Sequence, residues 1–342
     1  MSTRSFCTVI AVLCILFPAH LVAENAAALM DALGRPEVSR RFDPLFPRAL
    51  TMEGAAEISA AGSVGVAGAQ TYREYLQNHS ESPRLQSVLL NNDVFALYGK
   101  PGSSGMGILG QYSLTGIEPV MDEFIKTYDA ANGDRGIVPA FYIIFGTCWP
   151  EGEIGYLSDT VIRQYIDYAA ERGWYVFLDH QIGKYTVENA VKRLLPYLAY
   201  PNVQLALDPE WRTTKPMQEI GSVTAEEVNV AQKMIQDYMI EHNLPGRRML
   251  VIHQFKPKMI MNRSLVRSNY ELVQLIHCAD GFGSPTLKKN TYALNAQAKN
   301  IPLKSFKLFL KPTVAGAGYD VPLMTPNDVF LLNPRPYLIM YQ

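Results

Sequence analysis

The stretch "NVQLALDPEWR", residues 202–212, sets Asp208 and Glu210 two residues apart at the end of an apolar run. On an extended strand such residues share one side, with Cα atoms about 6.5 Å apart. Two carboxylates this close cannot both ionise freely, so one pKa rises and that carboxyl becomes a proton donor. Glu210, longer by one methylene and farther along the chain, is the better donor, with Asp208 as its orienting partner. Trp211 follows at once and offers an aromatic face on which a sugar ring can stack. The structural alternative has Asp208 capping the next turn and Glu210 paired with Arg212 or Lys215.

Other apolar runs end in polar groups too. "FLDHQIG" brings Asp179 and Gln181 on one parity and His180 on the other; "VIHQFK" brings His253, Gln254 and Lys256; "HCADGFG" brings Asp280. Lys311 closes "FKLFLK", and Tyr98, Trp149 and Tyr341 add aromatic groups at or near run ends. Charges at such positions must be paired or used. The catalytic candidates are therefore Glu210, Asp208, Asp280 and Asp179. The substrate-binding candidates are Trp211, His253, Gln254, Lys256, Gln181, Tyr98, Trp149, Lys311 and Tyr341. His277 reads as a satisfied core histidine.

A second chemistry is open to the same groups. Asp179, Asp208, Glu210, Asp280 and His253 could supply oxygen and nitrogen ligands to a metal ion. No His-x-His or His-Glu-x-x-His spacing supports it, and neither a metal nor a cofactor is expected. "GMGILG", residues 105–110, fits the G-x-G-x-x-G spacing of dinucleotide sites, but those glycines must open a helix directly. Gln111, Tyr112, Ser113, Gly116 and Pro119 intervene, so the expectation is a flexible loop able to close over the site. "GTCWPEGEIGY" is a second candidate lid, presenting Trp149, Glu151 and Glu153.

The elements that must position these groups are eight short apolar runs alternating with amphipathic stretches. They are "VFALYG", "IVPAFYIIFG", "WYVFLD", "VQLALD", "MLVIHQF", "VQLIHCAD", "FKLFLK" and "YLIMYQ". Among the helix candidates, "DTVIRQYIDYAAERG" puts Val161, Ile162, Tyr165, Ile166 and Ala169 on one face, and Thr224 with Glu227 forms a capping box. Eight strands in about 250 residues predict an α/β (β/α)8 barrel over residues 91–342, ending on its eighth strand, rather than the alternative open doubly wound sheet. The strand C-termini then share one bowl. Val203, Leu205 and Leu207 face the helices and Ala206 the interior, while Asp179 stands beside Asp208 and Asp280 two strands from Glu210.

At 342 residues, with 48% hydrophobic and 18% charged residues and a net charge of −1, the chain reads as globular, with no basic excess for nucleic acid. Residues 1–23 have the three-part layout of a secretory signal peptide, with cleavage after Ala23, in preference to a retained anchor. Lipidation at Cys14 lacks the small residue it wants just before the Cys. No later run is long enough to span a bilayer. Secretion, or a periplasmic or cell-surface location, is the expectation. Residues 24–90 read as an Ala/Gly-rich arm with a short helix, "TYREYLQNHS". Beyond the leader, Cys148 and Cys278 follow strands on opposite sides of a barrel and are expected to stay unpaired.

The Asp208-x-Glu210 spacing on strand 4, with Asp280 ending strand 6 and Tyr341 on strand 8, resembles the barrel glycosidases of the chitinase and lysozyme-like types. That resemblance implies Glu210 as proton donor and Asp208 as its partner. A further upstream Asp of the chitinase pattern is Ala206 here, and the aromatic residue before the strand-6 Asp is Ala279, so substrate-assisted chemistry is not carried over. The "ALYGKPGSSGMG…LALDPEW…HQF" layout is also similar to secreted bacterial proteins, a likeness that supplies no function. Three function classes follow: a glycoside hydrolase acting on a polysaccharide, a non-catalytic surface or carbohydrate-binding protein, and a metal-dependent hydrolase or lyase.

Overall fold

All eight apolar runs form strands, and the parity of each run sorts its side chains between two cores. The computed structural model describes residues 87–342. The leader, the Ala/Gly-rich arm and the "TYREYLQNHS" segment lie outside the described residues. The strands are β1 (Asn92–Gly99), β2 (Gly136–Cys148), β3 (Tyr175–His180), β4 (Val203–Leu207), β5 (Arg248–Gln254), β6 (Val273–Ala279), β7 (Leu303–Leu308) and β8 (Leu338–Tyr341). Each pairs in parallel with its sequence neighbours, and β1 pairs with both β2 and β8, closing a (β/α)8 barrel.

Successive side chains on a strand point to opposite faces. Val94, Ala96, Val138, Ala140, Phe177, Ala206, Val251, Ile276, Leu338 and Met340 therefore fill the barrel interior. Phe95, Leu97, Phe141, Ile143, Val176, Leu178, Val203, Leu205 and Leu207 face the surrounding helices. The expected division of β4, with Ala206 inward and its leucines outward, is the one observed.

The helices are α1 (Glu118–Asp129), α2 (Asp159–Glu171), α3 (Val187–Leu194), α4 (Ala225–Glu241), α5 (Pro285–Ala296) and the short α6 (Pro326–Phe330). Helix α2 buries Ile162, Tyr165, Ile166 and Ala169 on one face, and the Ser158 hydroxyl accepts from Val161 N at its start. Helix α4 begins on the expected capping box, in which Thr224 and Glu227 satisfy each other's backbone amides. No described helix is long and apolar enough to cross a membrane.

Between β5 and β6 no α-helix forms. Residues 255–272 run as 3-10 turns and a two-residue strand, Ile260–Met261, paired with Val223–Thr224. Buried backbone groups need partners, and here side chains supply them. Gln254 Nε2 donates to the Lys256 and Pro257 carbonyls, both at 3.1 Å, while Asn300 Nδ2 donates to Arg263 O and Val266 O.

At the N-terminal end of the barrel, opposite the bowl, Asp93 is almost fully buried beneath two arginines. Arg335 grips both its oxygens at 2.7 Å, and Arg135 Nε adds a third bond at 2.9 Å. A buried carboxylate is tolerable when it is this fully paired.

Candidate active site

The inward parity that fills the lower barrel with apolar residues delivers a polar layer at the C-terminal end. Tyr98 from β1, Tyr142 from β2, Asp179 from β3, His253 from β5 and Lys307 from β7 are buried there, with Asp208 and Asp280 one residue beyond β4 and β6. His253 Nδ1 lies 2.7 Å from Asp280 Oδ2, and its Nε2 lies 2.7 Å from the Tyr142 hydroxyl. Lys307 Nζ reaches the same Asp280 oxygen at 3.2 Å and sits 3.9 Å from the centroid of the Tyr98 ring. The Tyr98 hydroxyl in turn donates to Asp179 Oδ2 at 2.9 Å. The second oxygen of Asp179 is buried without a hydrogen-bond partner in the structure.

Four carboxyls share this space with two cations, and their environments push them apart. Burial alone would raise Asp280, but Lys307 and the bond from His253 outweigh it and hold the carboxyl well below the usual range. For Asp208, burial together with the charges of Asp179 and Asp280 drives the pKa well up. Asp179 is raised by burial, against the pull of His253 and Lys307. Burial disfavours charge on His253 too, yet Cys278, Asp179 and Asp280 outweigh it and keep the ring protonated. Lys307 likewise stays charged despite burial, because Asp280 and Asp208 face it.

Glu210 stands above this layer in a turn, Pro209–Trp211, that Asp208 caps: Asp208 Oδ1 accepts from Glu210 N at 3.2 Å. The capping half of the structural alternative is therefore present. The pairing half is not, because Arg212 binds Glu227 and Lys215 binds Glu219. Glu210 is half-buried, with its pKa pushed up to about 7 by burial first and by Asp280 second, against Lys307, His253 and Lys256. The main charged influence on it is thus Asp280, across the bowl, rather than Asp208 beside it in sequence.

Not every expected residue reaches the bowl. Asp179 pairs in register with Ala206, and Asp208 stands two residues farther along, its amide donating to His180 O. Staggered register in a barrel separates the two carboxylates that adjacent strands were expected to set side by side. Gln181 binds Cys148 N at 2.7 Å and secures the end of β2. Gln254, on the outward parity of β5, accepts from Arg263 at 2.8 Å and meets His277 Nε2 at 2.8 Å. His277 is the satisfied histidine expected of it. His180 is buried as well, with Nδ1 accepting from Ile182 N at 2.9 Å and its pKa lowered to about 4 by burial. Tyr341 faces the helix layer, where its hydroxyl meets that of Tyr128 at 2.8 Å. Strand β7 stops at Leu308, leaving Lys311 exposed in the following loop; Lys256 is exposed as well. Trp211 is half-buried and Trp149 half-exposed on the rim.

Lys307 and Tyr142 were missed by sequence reasoning. Each sits inside an apolar run and shows itself only by inward parity: Phe306 and Leu308 face the helices, so Lys307 must face in. The glycine-rich segment after β1 also differs from expectation. A Cβ on Gly110 would lie 1.9 Å from Ser103 O, and Gly107 bridges back to Gly99, so the glycines serve close packing of a tight turn. Cys148 and Cys278 are both free.

No protein-family model and no curated protein matches the sequence. Among solved structures the chain is similar to oxaloacetate acetylhydrolase in complex with oxalate, at 12% identity over 75% of this chain and 78% of that one, with a TM-score of 0.46. It is also similar to a chitinase from Rhizomucor miehei, at 11% identity, 72% and 93% coverage and a TM-score of 0.41. A GH18 chitinase from Pseudoalteromonas aurantia follows at 10% identity, 72% and 92% coverage and a TM-score of 0.38. Likeness at this distance carries no activity or substrate across.

Proposed function

We propose that this protein is an exported glycoside hydrolase, acting on a polysaccharide through carboxylate acid/base chemistry with Glu210 as the general acid. The observation that carries this reading is the split between two carboxyls of one bowl. Glu210 stays neutral up to about pH 7, while Asp280 is held ionised by Lys307 and His253. Pairs whose environments push their pKa values apart mark acid and base roles. Glu210 donates its proton to the departing glycosidic oxygen as the bond to the anomeric carbon breaks, and the Asp280 carboxylate takes a proton from the water that adds at that carbon. Lys307 and His253 keep Asp280 in its charged form and fix its position. Export is supported by the layout of residues 1–23, and a sugar substrate by the rim aromatics Trp149 and Trp211.

A second reading has its own observation: potential ligand atoms of Asp208, His253 and Asp280 all lie within 4.8 Å of one another, a spacing that suits a metal ion. Against it, the Asp280 oxygen already serves Lys307 and His253, and both nitrogens of His253 are engaged. A cation would have to displace this internal neutralisation. A non-catalytic carbohydrate-binding role is the third reading. Reducing-end release from a panel of polysaccharides, by wild type and Glu210→Gln side by side, is the deciding experiment. Release that survives the substitution unchanged would remove Glu210 from the chemistry.

A further inference from the structure

Lys100 lies one residue beyond β1, at the mouth of the barrel. Its ammonium donates to Thr147 Oγ1 at 2.9 Å and lies 5.4 Å from the centroid of the Trp149 ring. Thr147 is buried and Lys100 half-buried; burial draws the lysine below its ordinary pKa, and among the described residues no carboxylate pairs with it. Glu153 pairs with Lys184 and Asp280 with Lys307, so neither serves Lys100. Holding an ammonium half out of water without a counter-ion costs free energy. An anion arriving at the mouth recovers it.

The neighbouring Trp149 is half in solvent, and a Cβ on Gly155 would come within 2.1 Å of its indole nitrogen. The ring therefore rests against bare backbone of the Ile154–Tyr156 strand, its position fixed and much of its surface open. An aromatic surface and a half-buried cation stand side by side. Lys256 and Lys311 add exposed positive charge on the loops after β5 and β7 of the same rim.

We propose that the glycan bound at this mouth is acidic: one sugar ring packs on Trp149, and a carboxylate or sulfate group on that sugar pairs with Lys100, with the Thr147 hydroxyl as a further partner. This names a substrate class for the carbohydrate site described above and rests on that reading. Uncharged glycans would leave the Lys100 ammonium without a counter-ion.

The test measures binding separately from turnover, using Glu210→Gln so that substrate is not consumed. Titration calorimetry compares oligogalacturonate, a sulfated chondroitin oligosaccharide and neutral cello- and chito-oligosaccharides at low and high salt. The expected result is a preference for one acidic ligand of roughly tenfold or more that weakens with salt. Lys100→Met should remove that preference and Lys100→Arg should retain most of it, whereas Trp149→Ala should weaken acidic and neutral ligands alike. The carboxylated and sulfated arms identify the anionic group. Equal affinity for neutral glycans, undiminished acidic binding by Lys100→Met, or no glycan binding at all overturns the proposal. Turnover of a neutral polysaccharide by the wild type would at the same time leave the hydrolase reading standing.

Discussion

Lys307 Nζ and Asp280 Oδ2, from adjacent strands β7 and β6, lie 3.2 Å apart in the barrel interior with His253 on the same oxygen. Removing either partner changes the field at Glu210 in opposite senses. Asp280→Asn deletes a negative charge, so the Glu210 pKa falls and the alkaline limb of activity, where the general acid loses its proton, moves to lower pH. Lys307→Met deletes a positive charge, so that limb moves to higher pH. A pH–rate profile of both variants checks the pair of signs. The second variant also leaves the buried Asp280 carboxylate with His253 as its one remaining cationic partner among the described residues, and melts at a lower temperature.

Glu210→Gln keeps the side chain's shape and removes its proton. Hydrolysis is expected to fall by roughly 100-fold or more, as for other lost general acids, with sugar binding nearly intact. Stability moves the other way. A folded pKa of about 7 lies above the carboxyl's ordinary 4.5, so the folded state binds more protons between these values and wild-type stability declines as pH rises through that window. The glutamine variant lacks that decline, and differential scanning at pH 5 and pH 8 should show it gaining on wild type at the higher pH.

Chelator treatment should leave activity unchanged and elemental analysis should find no stoichiometric metal, because Lys307 and His253 already neutralise the Asp280 carboxylate. One tightly held metal ion per chain, with activity restored by adding that metal back, would establish the second reading instead.

Thiol titration of protein cleaved after Ala23, unfolded without reductant, should count two free thiols. Cys148 ends β2 and Cys278 lies within β6, on opposite sides of the barrel. In the folded state Cys148 should react slowly, since burial pushes its pKa up.

The barrel was legible because each strand is one apolar run, and the polar groups at the run ends brought Asp179, His253 and Asp280 to one bowl. Parity read to the true strand end would also have found Lys307. The run "FKLFLK" invites a later stop at Lys311, while β7 ends at Leu308 and the interior position falls on the lysine between two outward residues. Register was not legible. Asp208 stands beyond Asp179 instead of beside it because strand stagger belongs to barrel closure, which no single strand encodes. Tyr341 shows the converse error, a suitable residue type on the outward parity.

The Asp93 clamp joins the segment just before β8, the start of β1 and the approach to β2, where the sheet meets itself. With no edge among the eight strands, β8 has hydrogen-bonded neighbours on both sides. Its amides can reach deuterium only when the seam itself parts, so the last strand in the chain should exchange as slowly as the central ones. Asp93→Asn should convert that shared timescale into two, with the seam opening before the rest.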